Sequence, residues 1–365
     1  MPTPTQYDQS SLFVNELYLE LEREMLTKIG RLLATNKVIT SDNVINWQVE
    51  RLQLLGRLND EQIRLIAKTS RKTPEAVKQW LNEVGMMSAE EIEPGIREAL
   101  PDLPVPAISE SNRILETILL FESNAQDTLN LMNSTMLATS TQAARDIVSK
   151  VTAEVLTGAK THDQALRTAA RQLASQGVTA LVDKAGKKWS VEGYMPMMTR
   201  AISAQTAAKV QEARMDDYDI DLVEISSHAG SRPSHIPYQG KIYSRSGNSR
   251  RYPSLSETSY GSITGIVTGI NCRHVMYPYV QGKSIKRYEP YDKKESEELY
   301  KLTQRQRAIE REIRAAKREL RMMEQLRDET GIAEAKKLIR ERQAKMRLFI
   351  DEHELTRRRN REQIV

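Results

Sequence analysis

A regular stripe of apolar residues near the end of the sequence constrains the fold more than any other feature. The stripe steps by 4, 3, 4 and 3 residues through Ile309, Ile313, Ala316, Leu320 and Met323. This spacing is the a/d alternation of a helix that packs along one seam against another helix. A second stripe covers residues 335–349, after an interruption at Gly331. The sequence therefore predicts an antiparallel helical hairpin or coiled coil that turns near Gly331, within a basic segment 291–365.

The first half of the sequence is also predicted to be helical. Apolar residues recur at helical spacing from Leu12 to Leu32, and again across residues 108–156. Four Pro residues within 94–106 indicate a hinge or linker between helices. These patterns predict a helical N-terminal region over residues 1–176.

The composition changes between residues 177 and 290, where Gly, Pro, Ser and Tyr become frequent. A helix is predicted over 192–218, and short apolar runs between Gly residues predict strands at 219–226, 241–244, 263–268 and 274–280. We therefore expect a small mixed domain at 177–290. The fold class expected for the whole chain is α+β, mainly α.

Composition and missing motifs exclude several classes of protein. A single Cys cannot form an intramolecular disulfide, which excludes a disulfide-stapled scaffold. The most apolar stretch, 114–121, is far shorter than the roughly 20 residues that cross a bilayer, so no membrane segment is expected. The sequence also lacks a Walker phosphate loop, a Gly-x-Gly-x-x-Gly turn and a His-Glu-x-x-His helix. We therefore predict no catalytic residues and no enzyme.

The net basicity of the chain lies in its tail. The formal net charge is +5, and residues 301–365 hold 19 Lys and Arg against 12 Asp and Glu. A basic tail favours contact with nucleic acid or with an acidic protein surface. The candidate contact residues belong to one Ser-rich loop and one C-terminal cluster: Arg245, Arg250, Arg251, Arg357, Arg358 and Arg359. The alternative is that both segments are solvated connectors.

Metal-ligating residue types concentrate in one window of the mixed domain. Three of the five His residues, His228, His235 and His274, fall within 47 residues together with the only Cys, Cys272. Imidazole and thiolate are the ligands that structural zinc prefers, and Cys272 and His274 would face the same side of an extended segment. Structural zinc is therefore the candidate cofactor. The alternative is that the His side chains hydrogen-bond the loop backbone while Cys272 is a small buried residue.

A nuclease of the His-Asn-His kind would also combine these residue types. Asn271 lies close to His274, but such a site needs a helix after its strand pair to present the metal-binding His. Pro278 follows His274 closely and disfavours helical backbone just before it. The window therefore predicts loops held together, by metal or by hydrogen bonds, rather than a catalytic site.

These residues resemble a known family. Residues 226–244, which read Ser-Ser-His-Ala-Gly-Ser-Arg-Pro-Ser-His-Ile-Pro-Tyr-Gln-Gly-Lys-Ile-Tyr-Ser, and then Gly-Ile-Asn-Cys-Arg-His at 269–274, resemble the phage minor capsid protein family, type 2. The basic helical segment from Gln304 is similar to the C-terminal helices of that family. Asn-Cys-Arg-His is also similar to the closing Asn-Cys-Arg-Cys of Mu F-like head morphogenesis proteins, with His274 in place of a second Cys. The structural motif would comprise Gly230, Arg232, Pro233, Gly240, Asn271 and Arg273.

The resemblance implies a structural protein of the virion of a tailed phage. Such proteins are present in few copies inside the head, are associated with the portal protein and other head proteins, and act in head morphogenesis, with a role extending to DNA packaging or ejection. The implied location is the virion, with host cytoplasm during assembly, and packaged DNA is a further expected partner. The rival interpretations are a virion-delivered enzyme, such as a metal-dependent nuclease or a transferase, and a general nucleic-acid-binding protein.

Overall fold

The computed structural model describes residue 6 and residues 9–364, and it is 67% helical. The helices are α1 (Leu12–Leu33), α2 (Val44–Gln53), α3 (Leu55–Ala99), α4 (Asn112–Leu156), α5 (His162–Gln176), α6 (Val191–Asp217), α7 (Lys293–Leu326) and α8 (Glu329–His353). The strands are short: β1 (Thr179–Val182), β2 (Lys188–Ser190), β3 (Leu222–Ile225), β4 (Ile242–Ser244) and β5 (Met276–Pro278). The prediction of a mainly α, α+β chain is confirmed. Within the described residues, no helix has the length and apolarity needed to cross a membrane.

The chain forms two compact units, and the first contains the three-stranded sheet. It consists of the described residues up to Asn15, together with Thr73–Thr128 and Pro196–Thr303. Its sheet is antiparallel in the order β4-β3-β5, so that Val223 of the central strand pairs with Tyr243 and Pro278. Val223 and Ile225 of β3 face a core that includes Met215 and Met276. This arrangement places the loops that follow β3 and precede β5 at neighbouring positions.

The second unit contains the C-terminal hairpin. It consists of Glu16–Lys72, Leu129–Met195 and the described residues from Gln304 onward. Ile309 and Ile313 of α7 pack with Met346 of α8, as the two apolar stripes predict. The chain reverses at Arg327, which has a left-handed φ of 59°, and Asp328, whose carboxylate accepts a hydrogen bond from the Gly331 N–H. The turn therefore lies just before Gly331, which is inside the first turn of α8.

One local prediction was wrong, and another began too early in the sequence. Pro94 does not begin a linker, because α3 runs through it to Ala99 and the non-helical segment covers residues 100–107. Ile92 and Ile96 flank Pro94 and are buried in the core of the first unit, so packing outweighs the hydrogen bond that Pro94 cannot donate. Residues 263–268 form turns rather than a strand, since Val267 has a φ of 69°. The domain boundaries 1–176, 177–290 and 291–365 stay predictions.

Candidate metal centre

Three short segments of the first unit bring the predicted ligands together. His228 follows β3, His235 ends a 3-10 turn that begins with Pro233, and Cys272 and His274 lie just before β5. Because β3 pairs with β5, the loops that carry these residues meet beside the sheet. His235, Cys272 and His274 are 1%, 6% and 4% exposed. The centre is therefore a buried one.

The two sulfur–nitrogen distances in the group are close to those of a tetrahedral metal site. The Sγ atom of Cys272 lies 3.6 Å from His235 Nδ1 and 3.3 Å from His274 Nδ1. One ligand atom from each of these three residues lies within 4.8 Å of the others. In a tetrahedral zinc site, usual bond lengths place a sulfur and a nitrogen ligand about 3.6 Å apart. The three atoms could thus hold one ion without a large rearrangement.

Outer hydrogen bonds fix which imidazole nitrogen faces the thiol. His235 Nε2 lies 2.8 Å from the carbonyl oxygen of Thr264, and His274 Nε2 lies 3.0 Å from Gln239 Oε1. Both oxygens are acceptors, so each Nε2 must carry the proton and donate it. The lone pairs of both Nδ1 atoms then point at Cys272. Metal-binding His residues are commonly held by an outer acceptor in this way.

His228 borders the three-residue group. Its ring centroid is 4.5 Å from that of His274, with the two planes tilted by 34°. Its Nδ1 lies 3.1 Å from the carbonyl oxygen of Ala229 and therefore donates to it. Its Nε2 is buried and has no hydrogen-bond partner among the described residues. His228 thus offers an unpaired lone pair next to the group, although its nitrogens are not among the donor atoms that lie within 4.8 Å of one another.

Burial sets the charge state of the centre. It lowers the pKa of His228 and of His235, and together with the two neighbouring imidazoles it lowers the pKa of His274 to about 2. The imidazoles are therefore neutral at neutral pH, which is the form that binds metal. Burial also raises the pKa of the Cys272 thiol, against hydrogen bonds from backbone N–H groups. The Val267 N–H donates to Cys272 Sγ at 3.1 Å.

The motif residues shape the loops that carry the ligands. Arg232 donates to the carbonyl oxygens of Thr264, at 2.7 Å, and Ile270, at 3.0 Å, so it holds the acceptor of His235 in place. Gly240 has a φ of 67°, and a Cβ there would lie 2.6 Å from the backbone nitrogen of Pro290.

The other motif residues lie on the same loops. Gly230 also has a left-handed φ, and a Cβ there would lie 3.0 Å from the Leu299 side chain. Asn271, with a φ of 59°, accepts a hydrogen bond from Arg200 at 2.7 Å. Arg273 separates Cys272 from His274 in sequence, and Pro233 begins the 3-10 turn of His235.

Sequence reasoning missed the two outer acceptors, Gln239 and Thr264. Gln239 is fully buried, and its Oε1 also accepts the backbone N–H of His228 at 3.2 Å. A polar residue between Tyr238 and Gly240 was the only sign of it in the sequence. Thr264 accepts the hydrogen bond through its backbone carbonyl. Every residue has such a carbonyl, so the residue type gives no indication of this role.

The six predicted basic contact residues differ in their partners within the fold. In the first unit, Arg245 donates to Asp216 at 2.6 Å and to the carbonyl oxygen of Ile220. In the second unit, Arg357 is bidentate to Glu362, at 2.7 and 2.6 Å. Arg245 and Arg357 are therefore engaged within the fold, since each guanidinium already has acidic or carbonyl partners. The remaining four, Arg250, Arg251, Arg358 and Arg359, are exposed.

Comparison with known proteins agrees with the resemblance in the sequence. The family model described as Phage minor capsid protein 2 matches residues 3–351. A structural protein of Lactococcus phage LL-H is 29% identical over 337 residues, which cover 89% of this chain and 90% of that protein. A structural protein of Lactococcus phage mv4 is 36% identical over 116 residues, covering 32% of this chain and 94% of that protein. No solved structure matches the chain. With nearly its whole length matched, the chain belongs to the phage minor capsid protein 2 family and is a structural protein of a phage virion.

Proposed function

We propose that this chain is a low-copy component of the head of a tailed phage, that it lies at the portal vertex, and that it acts in head assembly. The observation that carries the proposal is the family match over residues 3–351, which defines a minor rather than a major capsid protein. A protein present in few copies cannot repeat on every subunit of a symmetric shell, and the portal vertex is a unique position that few copies can fill.

The surface of α4 supports a role in assembly. Within the first unit, this helix exposes the side chains of Leu115 and Leu119, the latter 61% exposed, and Leu120 lies beside them. Leu115 and Leu119 are four residues apart and so share one face of the helix. Apolar residues grouped on an exposed helix face are typical of a surface that contacts a neighbouring protein.

The buried His and Cys cluster favours a structural role over a catalytic one. A catalytic metal keeps an open position for water or substrate, whereas a structural metal is closed by protein ligands. The side chains of His235, Cys272 and His274 are almost completely buried. We therefore propose that the chain acts without catalysis and that the cluster holds loops in place.

Contact with packaged DNA is a second proposed role, based on the basic tail. Residues 301–365 carry a surplus of positive charge, and Arg358 and Arg359 near the end of the tail are exposed. Binding through such residues would come from phosphate neutralisation and counterion release, so it would weaken with salt and show no base preference.

The assembly role is tested by an amber mutation in the gene, grown with and without a suppressor host. We expect particles made without the chain to show misassembled or unfilled heads by electron microscopy, and suppression to restore normal heads. Normal, DNA-filled, infectious particles that lack the chain would overturn the proposal.

The rival enzymatic role has its own test. The purified chain is incubated with plasmid DNA and divalent metal, beside a His274→Ala variant. We expect no cleavage by either protein. Cleavage by the wild-type chain that is lost in the variant would overturn the non-catalytic role.

A further inference from the structure

We propose that His228, His235, Cys272 and His274 bind one Zn²⁺ ion in a closed site with one thiolate and three imidazole ligands. The inference is independent of where the chain lies in the virion. Two observations support it: the cluster has fewer protons than lone pairs, and its donor atoms lie close together.

Without a metal, the cluster has more acceptors than donors. The lone pairs of His235 Nδ1 and His274 Nδ1 both face Cys272 Sγ, at 3.6 and 3.3 Å, because each Nε2 already donates outward. A thiol has one proton and can satisfy only one of the two nitrogens. Backbone N–H groups of Val267 and His274 donate to the same sulfur, so they use its lone pairs and add no proton for the nitrogens. One Nδ1 is left without a donor.

His228 adds a second unmatched acceptor. Its Nδ1 donates to Ala229, and its buried Nε2 has no partner among the described residues. Unpaired buried acceptors are rare in folded proteins because each one carries a desolvation cost. A single cation at the cluster would accept the lone pairs of His235, Cys272 and His274 at once and replace the thiol proton. A shift of the His228 ring, which lies outside this three-donor group, would bring its Nε2 to the same ion.

The donor set favours zinc over the other common divalent ions. Mg²⁺ and Ca²⁺ prefer oxygen ligands, and the three convergent donors are two nitrogens and one sulfur. Zinc takes four ligands of this kind in tetrahedral structural sites. The backbone N–H groups that donate to Cys272 Sγ would stabilise the thiolate that forms when the metal displaces the thiol proton.

Such an ion would join parts of the first unit that are distant in sequence. His228 follows β3, His235 ends the 3-10 turn, and Cys272 and His274 precede β5. The sheet itself has only three short strands, so its own hydrogen bonds give these long loops little support. A metal cross-link between residues 235 and 272 would close a loop whose ordering is otherwise costly in entropy.

The primary experiment uses the full-length wild-type chain and needs no variant. The chain is produced in zinc-supplemented medium, and its metal content is measured by mass spectrometry. We expect close to one zinc per chain, and a chelator should lower the melting temperature by about 5–10 °C. Replacement by Co²⁺ should give the visible bands of a tetrahedral site and a thiolate-to-cobalt charge-transfer band. Less than a tenth of a zinc per chain, with melting unchanged by chelator, would overturn the proposal.

Variants assign the ligands. Cys272→Ser should abolish the charge-transfer band, and His228→Ala should lower zinc affinity at least tenfold. His162→Gln is the matched control, since His162 is also a buried His but lies in the second unit, and it should keep one zinc per chain. A Cys272→Ser chain that keeps the same cobalt spectrum would overturn the site. An unchanged zinc affinity in folded His228→Ala would overturn the fourth ligand.

Discussion

A buried charge network in the first unit yields a quantitative prediction for Glu93→Gln. The Arg214 side chain is 0% exposed and forms a bidentate pair with Glu93, with Nε and one terminal nitrogen each 2.7 Å from a carboxylate oxygen. Tyr218 donates to Glu93 at 2.7 Å, and Arg97 donates to it at 2.9 Å. Glu93 is therefore the main counter-charge of a buried guanidinium, which keeps a second partner in Asp217 at 3.0 Å.

The magnitude follows from what the substitution leaves behind. Gln at position 93 keeps the shape of Glu but has no charge, and its amide N–H groups face the N–H groups of Arg214. Removing one partner of a buried ion pair costs about 3–5 kcal/mol, because the other charge stays buried without compensation. Since Asp217 remains, we expect a value near the lower end, about 3 kcal/mol. For a cooperative unit of about 150–250 residues, this corresponds to a fall in melting temperature of roughly 6–12 °C.

The assay is calorimetric and denaturant unfolding of the full chain, with Glu90→Gln as the matched control. Glu90 lies on the same helix and is exposed, so its substitution makes the same charge change and should cost less than about 0.5 kcal/mol. Arg214→Met combined with Glu93→Gln should cost less than the sum of the two single changes, because the double variant leaves neither the Arg214 guanidinium nor the Glu93 carboxylate buried without the other. A Glu93→Gln chain as stable as Glu90→Gln would refute the reasoning.

Three further predictions concern pH, backbone strain and DNA. Burial acts to raise the pKa of Glu93, but hydrogen bonds from Arg214 and its neighbours lower it from 4.5 to about 2. The stabilisation from ionised Glu93 is therefore present above pH 4.5 and is lost as the pH falls from 4.5 to about 2. Denaturant titrations should show the difference in unfolding free energy between wild type and Glu93→Gln narrowing over that range. Gly240→Ala should lower the unfolding free energy by about 2–4 kcal/mol, because φ is left-handed there and the new Cβ would contact backbone atoms. Gly261→Ala is the control: its φ is 79° but the space around it is open, so it should cost only about 1 kcal/mol. Equal losses of unfolding free energy in the two variants would contradict the prediction. Replacing both Arg358 and Arg359 by Ala should reduce the salt dependence of DNA binding by about two phosphate contacts in filter-binding or anisotropy titrations, and Arg357→Ala, whose side chain is already paired, should leave it unchanged.

The helical part of the fold could be predicted from the sequence because its signal is local. The apolar stripes that contain Ile313 and Met346 repeat at helical spacing, and those two residues do pack together. Pro94 misled the prediction because a local rule about hydrogen bonds was outweighed by burial of the flanking Ile residues. The apolar run at 263–268 misled it too, since β-branched residues favour strands while tight turns at Gly265 and Val267 decide the backbone.

The candidate site could be predicted only as a set of residue types. The rarity of His and Cys in the chain singled out His228, His235, Cys272 and His274. The structure brings donor atoms of the last three within 4.8 Å of one another, and the His228 ring lies beside that of His274. Their protonation could not be predicted, because it depends on Gln239 and on the Thr264 carbonyl, which reach the imidazoles through tertiary structure. Arg245 and Arg357 were predicted as contact residues from their charge alone. The charge does not reveal that each guanidinium is already paired within the fold, Arg245 with Asp216 and Arg357 with Glu362.

The central claim, that this minor capsid protein occupies the portal vertex, is tested most directly by cross-linking mass spectrometry on purified virions, combined with quantification of each protein. We expect cross-links from this chain to concentrate on the portal protein, with a copy number far below that of the major capsid protein. Cross-links spread over the capsid lattice, with a copy number close to that of the major capsid protein, would contradict it.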